Sequence, residues 1–182
     1  MHVLEGDHVP SAVVEGIARQ DVPYRLWVAT TSSECPADAR NHMKRYGNAD
    51  LALMLDGDMV LSEGGLRHMV DFLDERPDFG AVGLCEHRRR RFYRVDEWLN
   101  AHHVDMSCVL FRRATLDRIT FADKRNATRV GRARLAGGCV CANACHDIRA
   151  MGQRIGFVPD VYVDHLDHPP RRPTVESQST GA

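Results

Sequence analysis

No stretch of this sequence approaches the roughly 18 consecutive apolar residues of a membrane-spanning helix, so no membrane span is expected. The opening residues, Met1-His2-Val3-Leu4-Glu5-Gly6-Asp7, carry acids where a secretory signal needs an apolar run, which points to a cytoplasmic protein. Excess charge of either sign is lacking too. The formal net charge is -1, so nothing global draws the chain toward nucleic acid or anionic lipid. Lysine is nearly missing: Lys44 and Lys124 are the only two, and arginine supplies the remaining positive charge. There is no internal repeat. Collagen-like, coiled-coil and largely disordered classes are excluded by an ordinary composition of 43% hydrophobic and 27% charged residues.

What is present fits one domain. A globule of 182 residues buries roughly 70% of its unfolded surface and needs no covalent staples. Six cysteines, at 35, 85, 108, 139, 141 and 145, are therefore expected as free thiols. Residues 169–182, rich in Pro, Arg, Ser and Thr, read as a disordered tail behind a domain spanning 1–168.

Strand-like and helix-like segments alternate. Val3-Leu4 opens a short strand, and 11–20 has helical spacing with Ser11 as cap. A strand is expected over 24–29, a helix over 37–46 ended by Gly47-Asn48, and a buried strand at 51–55. A helix over 62–76, capped by Ser62, precedes a strand at 79–85. After a polar stretch at 86–103 come a strand at 106–112, a short helix at 114–119 and a charged loop at 123–136. A helix at 143–151 closed by Gly152 follows, then a strand at 155–163 broken at Pro159. This alternation predicts an α/β three-layer domain with a mainly parallel central sheet, whose ligands bind beyond the carboxyl ends of the strands.

The apolar run Leu51–Leu55 leads straight into Asp56-Gly57-Asp58. Carboxylates at i and i+2 project to one side of an extended chain, and Gly57 permits a tight turn. Such a site suits a hard divalent cation, Mn²⁺ or Mg²⁺, which could bridge a diphosphate.

These residues, taken in order with others, resemble a family 2-type glycosyltransferase with a GT-A fold. Ile17 to Pro23, with Gln20-Asp21, resembles that family's "si..Qd.p" segment. Ala39-Arg40-Asn41 resembles its "aRN", and Ala49 to Asp58 resembles "ad.i..lD.D". Leu66 to Val70 and Pro77 to Val82 resemble the continuation. Ile148 to Ile155 with Val158-Pro159-Asp160 and His165 resembles "lr..G.ri..vpd..v.H". The resemblance covers residues 3 to 168. It implies that Asp56 contacts a nucleotide-sugar donor, that Arg40 and Asn41 sit near the donor pocket, and that Asp58 and His165 hold the metal. It implies transfer of a sugar to an acceptor hydroxyl, usually with inversion.

The chain departs from the family in three places. Thr30-Thr31-Ser32-Ser33 stands where acids usually read the nucleoside base. The acidic pair expected about eleven residues before Gly152 is replaced by Val140-Cys141-Ala142-Asn143, which leaves Asp147 as the nearest candidate for a catalytic base. The chain also ends soon after His165, so acceptor recognition is expected from the middle loops, a partner protein or an oligomer.

Other groupings carry less. Cys139, Cys141, Cys145 and His146 invite a zinc reading, but no second Cys-x-x-Cys exists, and buried thiols are the simpler expectation. His168 is an alternative to His165. The basic run Arg88–Arg91 with Phe92, Tyr93 and Arg94 could bind a diphosphate, a phosphorylated acceptor or nucleic acid, or stand as a solvated loop, and the 123–134 loop could cover the donor. His102 and His103 with Asp105 could form a small acid–base group. Two rival functions remain: a nucleotide-sugar-binding domain without transfer, and a nucleotidyltransferase, although Glu5-Gly6-Asp7-His8 lacks that class's Gly-rich basic loop.

Overall fold

A computed structural model describes residues 1–4, 8–31, 35–86, 101, 103–122 and 140–166. Ser32, Ser33, the 88–94 run, His102, the 123–134 loop, Cys139, His168 and the 169–182 tail lie outside the described residues. Seven strands and five helices follow in the order β1 His2–Leu4, α1 Ser11–Ala18, β2 Ala29–Thr31, α2 Pro36–Met43, β3 Leu51–Leu55, β4 Met59–Leu61, α3 Gly65–Glu75, β5 Phe79–Glu86, β6 Cys108–Arg112, α4 Arg113–Leu116, α5 Val140–Ala150 and β7 Arg154–His165 among the described residues.

The period-2 alternation of the strands divides the core into two layers. In β5 and β6, Ala81, Cys85, Val109 and Phe111 face one way, packing with Ile148, Ala144 and Cys145 of α5. Val82, Leu84, Cys108 and Leu110 face the other way, with Leu66, Met69 and Leu73 of α3 and Val13 of α1. The sheet is thus covered on both faces, as a three-layer α/β domain requires. Fully buried side chains such as Phe111, Leu73 and Ile148 each contribute about 2 kcal/mol of transfer free energy.

The expectation of a mainly parallel sheet is corrected. The main sheet has the order β3-β6-β5-β7-β4, and only β5 and β7 run parallel. β3–β6, β5–β6 and β4–β7 are antiparallel, while β1 and β2 form a separate parallel pair. The reason is connectivity. A parallel neighbour needs a long crossover, whereas an antiparallel one needs only a turn. The Asp56–Asp58 turn feeds directly into β4, a strand that the sequence reading omits, and β6 leads straight into α4 and inserts between β3 and β5.

Two further expectations shift. Residues 24–28 form no strand and leave Val28 exposed, while the exposed Tyr24, Leu26 and Trp27 border a cavity of about 800 Å³ that also borders β3. At α3, Ser62 supplies no side-chain cap; the helix begins after Gly64, whose φ of 67° is a left-handed conformation suited to glycine. Buried Gln20 does the capping from outside: its Oε1 accepts from Leu66 N at 2.8 Å, and its Nε2 donates to Gly16 O and Ser62 O.

Pro159 does not break β7. Pairing to β5 passes from Phe157–Gly83 to Tyr162–Cys85, so β7 makes a bulge there, and Asp160 within it has φ 59°. A proline is tolerated where no ladder donor is required. Beyond the bulge the strand continues to His165.

Candidate functional site at the carboxyl end of the sheet

Local folding builds the site around the Asp56–Asp58 turn. Asp56 N donates to Ser107 O at 2.8 Å, and Met59 N donates back to Asp56 O at 3.2 Å, which closes the turn. The chain then enters β4, which lies antiparallel to β7 with Met59 opposite His165. Leu166 N donates to Asp58 O at 2.9 Å. This pairing brings together two residues 107 positions apart: His165 Nε2 lies 3.0 Å from Asp58 Oδ2.

The other ring nitrogen is also engaged. His165 Nδ1 lies 2.9 Å from Glu86 Oε1, at the last residue of β5. The side chains of Glu86 and Asp58 are largely buried, at 12% and 18% exposure, while His165 is 39% exposed and open to solvent. Partial burial opposes protonation of His165, but the hydrogen bonds and charges of Asp58 and Glu86 outweigh it and raise its pKa above the usual histidine value.

Asp56 faces Arg40 of α2. Arg40 is buried, and its Nη2 lies 2.9 Å and 3.2 Å from the two Asp56 oxygens. Burial, with Asp58 and Asp105 adding to it, pushes the Asp56 carboxyl up to about 6 against the opposing pull of Arg40 and His165. Asp56, Asp58, His165, Glu86 and Arg40 therefore share one charged end of the sheet.

Asn41 is placed differently from the other residues of its motif. Its Nδ2 donates to Phe121 O at 2.7 Å and its Oδ1 accepts from Phe121 N at 3.0 Å, so both amide atoms brace the segment after α4. Asp147 sits on α5 with its side chain 43% exposed and forms its ion pair with His146 at 3.7 Å. The structure does not bring it into contact with the carboxylate cluster. Cys141 and Cys145 are buried cysteines. They accept from Met106 N and Val104 N, each at 3.4 Å, and so fasten the segment before β6 to α5. Among the described residues no group of three or more His, Cys, Asp and Glu side chains is arranged to hold a metal. Cys141 and Cys145 pack against the segment before β6, while Cys139 lies outside the described residues.

A metal at the Asp58–His165 pair can be tested against the donor geometry. Two donors about 2.1 Å from an octahedral ion, at right angles, stand about 3 Å apart. The 3.0 Å separation of His165 Nε2 and Asp58 Oδ2 is that of a direct hydrogen bond, and it is also compatible with that spacing. One nitrogen and one carboxylate oxygen suit Mn²⁺ better than an all-oxygen cation. A carboxylate on the far ring nitrogen is the usual orienting partner of a metal-binding histidine. The pair offers two donors of the kind such an ion takes, one imidazole nitrogen and one carboxylate oxygen.

Sequence reasoning missed Glu86 and weighed Asp105 only with His102 and His103. The signal for Glu86 was available: like Asp56, it is an acid that ends a buried apolar strand.

No protein-family model matches the chain, and no curated protein matches it. Solved structures do. A mannosyltransferase from Pyrobaculum calidifontis, in complex with GDP-Man and Mn²⁺, superposes with a TM-score of 0.66 at 18% identity, over 93% of this chain and 56% of that one. S. aureus TarS residues 1–349, in complex with UDP-GlcNAc, gives 0.57 at 14% identity, over 87% of this chain and 55% of that one. The chain thus spans about half the length of these two structures. The likeness is one of fold: an α/β domain of the kind that a mannosyltransferase uses.

Proposed function

We propose that this chain is the donor-binding domain of a metal-dependent glycosyltransferase of family 2 type, moving a hexose from a nucleotide sugar to an acceptor hydroxyl with inversion. The observation that carries the reading is the contact of Asp58 with His165, backed by Glu86, at the ligand edge of the sheet. The fold shared with a mannosyltransferase solved with GDP-Man and Mn²⁺ supports it.

In this reading Asp58 and His165 hold Mn²⁺ or Mg²⁺. When bound, the ion supplies charge neutralisation for the departing diphosphate. Asp56, held by Arg40, accepts hydrogen bonds from donor hydroxyls; Arg40 itself is buried and acts through Asp56. Glu86 fixes the His165 tautomer so that Nε2 faces Asp58. Acceptor recognition falls to segments outside the described residues, to a partner protein or to a second copy.

The test is thermal unfolding with UDP-, GDP- and dTDP-sugars, with and without Mn²⁺. A ligand at 100 times its Kd stabilises the native state by about 2.7 kcal/mol. A metal-dependent shift with one nucleotide, lost in Asp58→Ala, is the expected result. Equal shifts in both proteins, or none with any donor, would overturn the reading. The lack of an acid on the buried face of α5 favours one rival, a domain that binds donor without transfer, and turnover of donor by the chain eliminates it.

A further inference from the structure

Resting on that reading, we infer that Asp105, and not a residue of α5, is the general base that takes the proton of the attacking hydroxyl. β6 runs antiparallel to β3 and β5, so its entry stands at the same sheet end as the close of those two strands. Asp105 lies at that entry. It shares a small void with Glu86, Ser107 and Cys108, and its charge is felt at Asp56. The backbone locks this neighbourhood through the bond from Asp56 N to Ser107 O at 2.8 Å.

The carboxylate is aimed. Asp105 Oδ1 accepts from Ser107 Oγ at 2.5 Å and from Ser107 N at 3.2 Å, and the side chain stays partly exposed. The first turn of α5, where the resemblance calls for an acid, offers the buried Cys141 thiol instead. That thiol lies 3.9 Å from Asp105 Oδ1. A carboxylate therefore stands against the very helix turn that lacks one, carried by the strand entry across from it. Asp147, by contrast, sits outside the buried face formed by Cys141, Ala144, Cys145 and Ile148, and pairs with His146.

The step balances. The proton of the acceptor O–H passes to the Asp105 carboxylate while the acceptor oxygen forms its bond to the anomeric carbon. The bond from that carbon to the diphosphate oxygen breaks, and its electron pair leaves with the nucleoside diphosphate. Attack opposite the leaving group inverts the anomeric centre.

The experiment uses the whole chain, with water as surrogate acceptor. Release of nucleoside diphosphate and the Mn²⁺-dependent thermal shift are measured for native protein, Asp105→Asn, Asp105→Glu, Asp147→Asn and Asp58→Ala. Asp105→Asn is expected to keep the donor-induced shift and to lose hydrolysis by at least about 100-fold, the usual scale for removing a general base. Asp105→Glu recovers part of the rate, and Asp147→Asn stays within about threefold of native. Hydrolysis by Asp105→Asn within threefold of native overturns the assignment, as does a hundredfold loss confined to Asp147→Asn. An absent donor shift in the native protein overturns the donor-site reading itself, and the assignment with it. A preserved shift with unaffected hydrolysis overturns the assignment alone.

Discussion

Glu86→Gln isolates the orienting role of one side chain. In the structure Glu86 Oε1 lies 2.9 Å from His165 Nδ1, and its side chain is only 12% exposed, so water cannot readily replace it. Glutamine keeps the shape but loses the charge. A charge-assisted hydrogen bond is roughly twice as strong as a neutral one, a difference of about 1.4 kcal/mol, which corresponds to about tenfold in affinity. If the amide nitrogen turns toward Nδ1, the tautomer reverses and the loss approaches the 10–100-fold range seen for such orienting partners. Calorimetric titration of Mn²⁺ should therefore show Kd rising at least tenfold at pH 8, with unfolding little changed. The pH dependence has a defined sign. His165 titrates above its usual value because of Asp58 and Glu86, and a protonated imidazole cannot bind metal. Native affinity thus falls as pH drops through the raised pKa. Removing the Glu86 charge lowers that pKa, so the variant competes with fewer protons and its deficit narrows toward pH 6. A Kd within twofold of native at pH 8, or ¹⁵N shifts showing an unchanged His165 tautomer with weakened binding, would refute the reasoning.

Two structural residues give further tests. Asn41→Ala removes both bonds to the Phe121 backbone and should cost about 2 kcal/mol in urea unfolding while leaving the Mn²⁺-dependent donor shift intact, and loss of that shift at unchanged stability would return Asn41 to the donor pocket. Gln20→Leu strips partners from Leu66 N, Gly16 O and Ser62 O at once, and a loss of about 3 kcal/mol with early exchange of the first α3 amides is expected. Stability within 0.5 kcal/mol of native would show that the bonds from Gln20 contribute little.

The sequence carries the layer plan because helical and strand periodicities differ, and both faces of β5 and β6 are apolar. Parallel against antiparallel pairing is less legible. Nothing in the composition of Met59–Leu61 marks a strand, and its pairing with β7 depends on residues more than a hundred positions away. Asp56, Asp58 and His165 could be picked out from an ordered set of motifs. Glu86 carries the same signal as Asp56, an acid closing an apolar strand, but neither its neighbours nor those of Asp105 could be read, because they depend on which strand ends lie side by side. Gln20 and Asn41 each belong to a recognisable motif, and each also makes hydrogen bonds that hold backbone in place, which the motif does not announce.

The bulge at Val158–Val161 divides β7 into two stretches with different partners. Along a regular strand, adding or deleting one residue turns every later side chain to the other face. Because β7 is already out of step with β5 there, and regains pairing at Tyr162 and then against β4, the bulge acts as a slip joint between two halves of one strand. The first half answers to the core, the second to Met59 and the Asp56–Asp58 turn. Changes of length can be absorbed inside the joint without rotating His165, so its side chain keeps its phase while the segment before it is free to vary. Inserting a single residue at Asp160 should therefore be tolerated far better than the same insertion at Asp164.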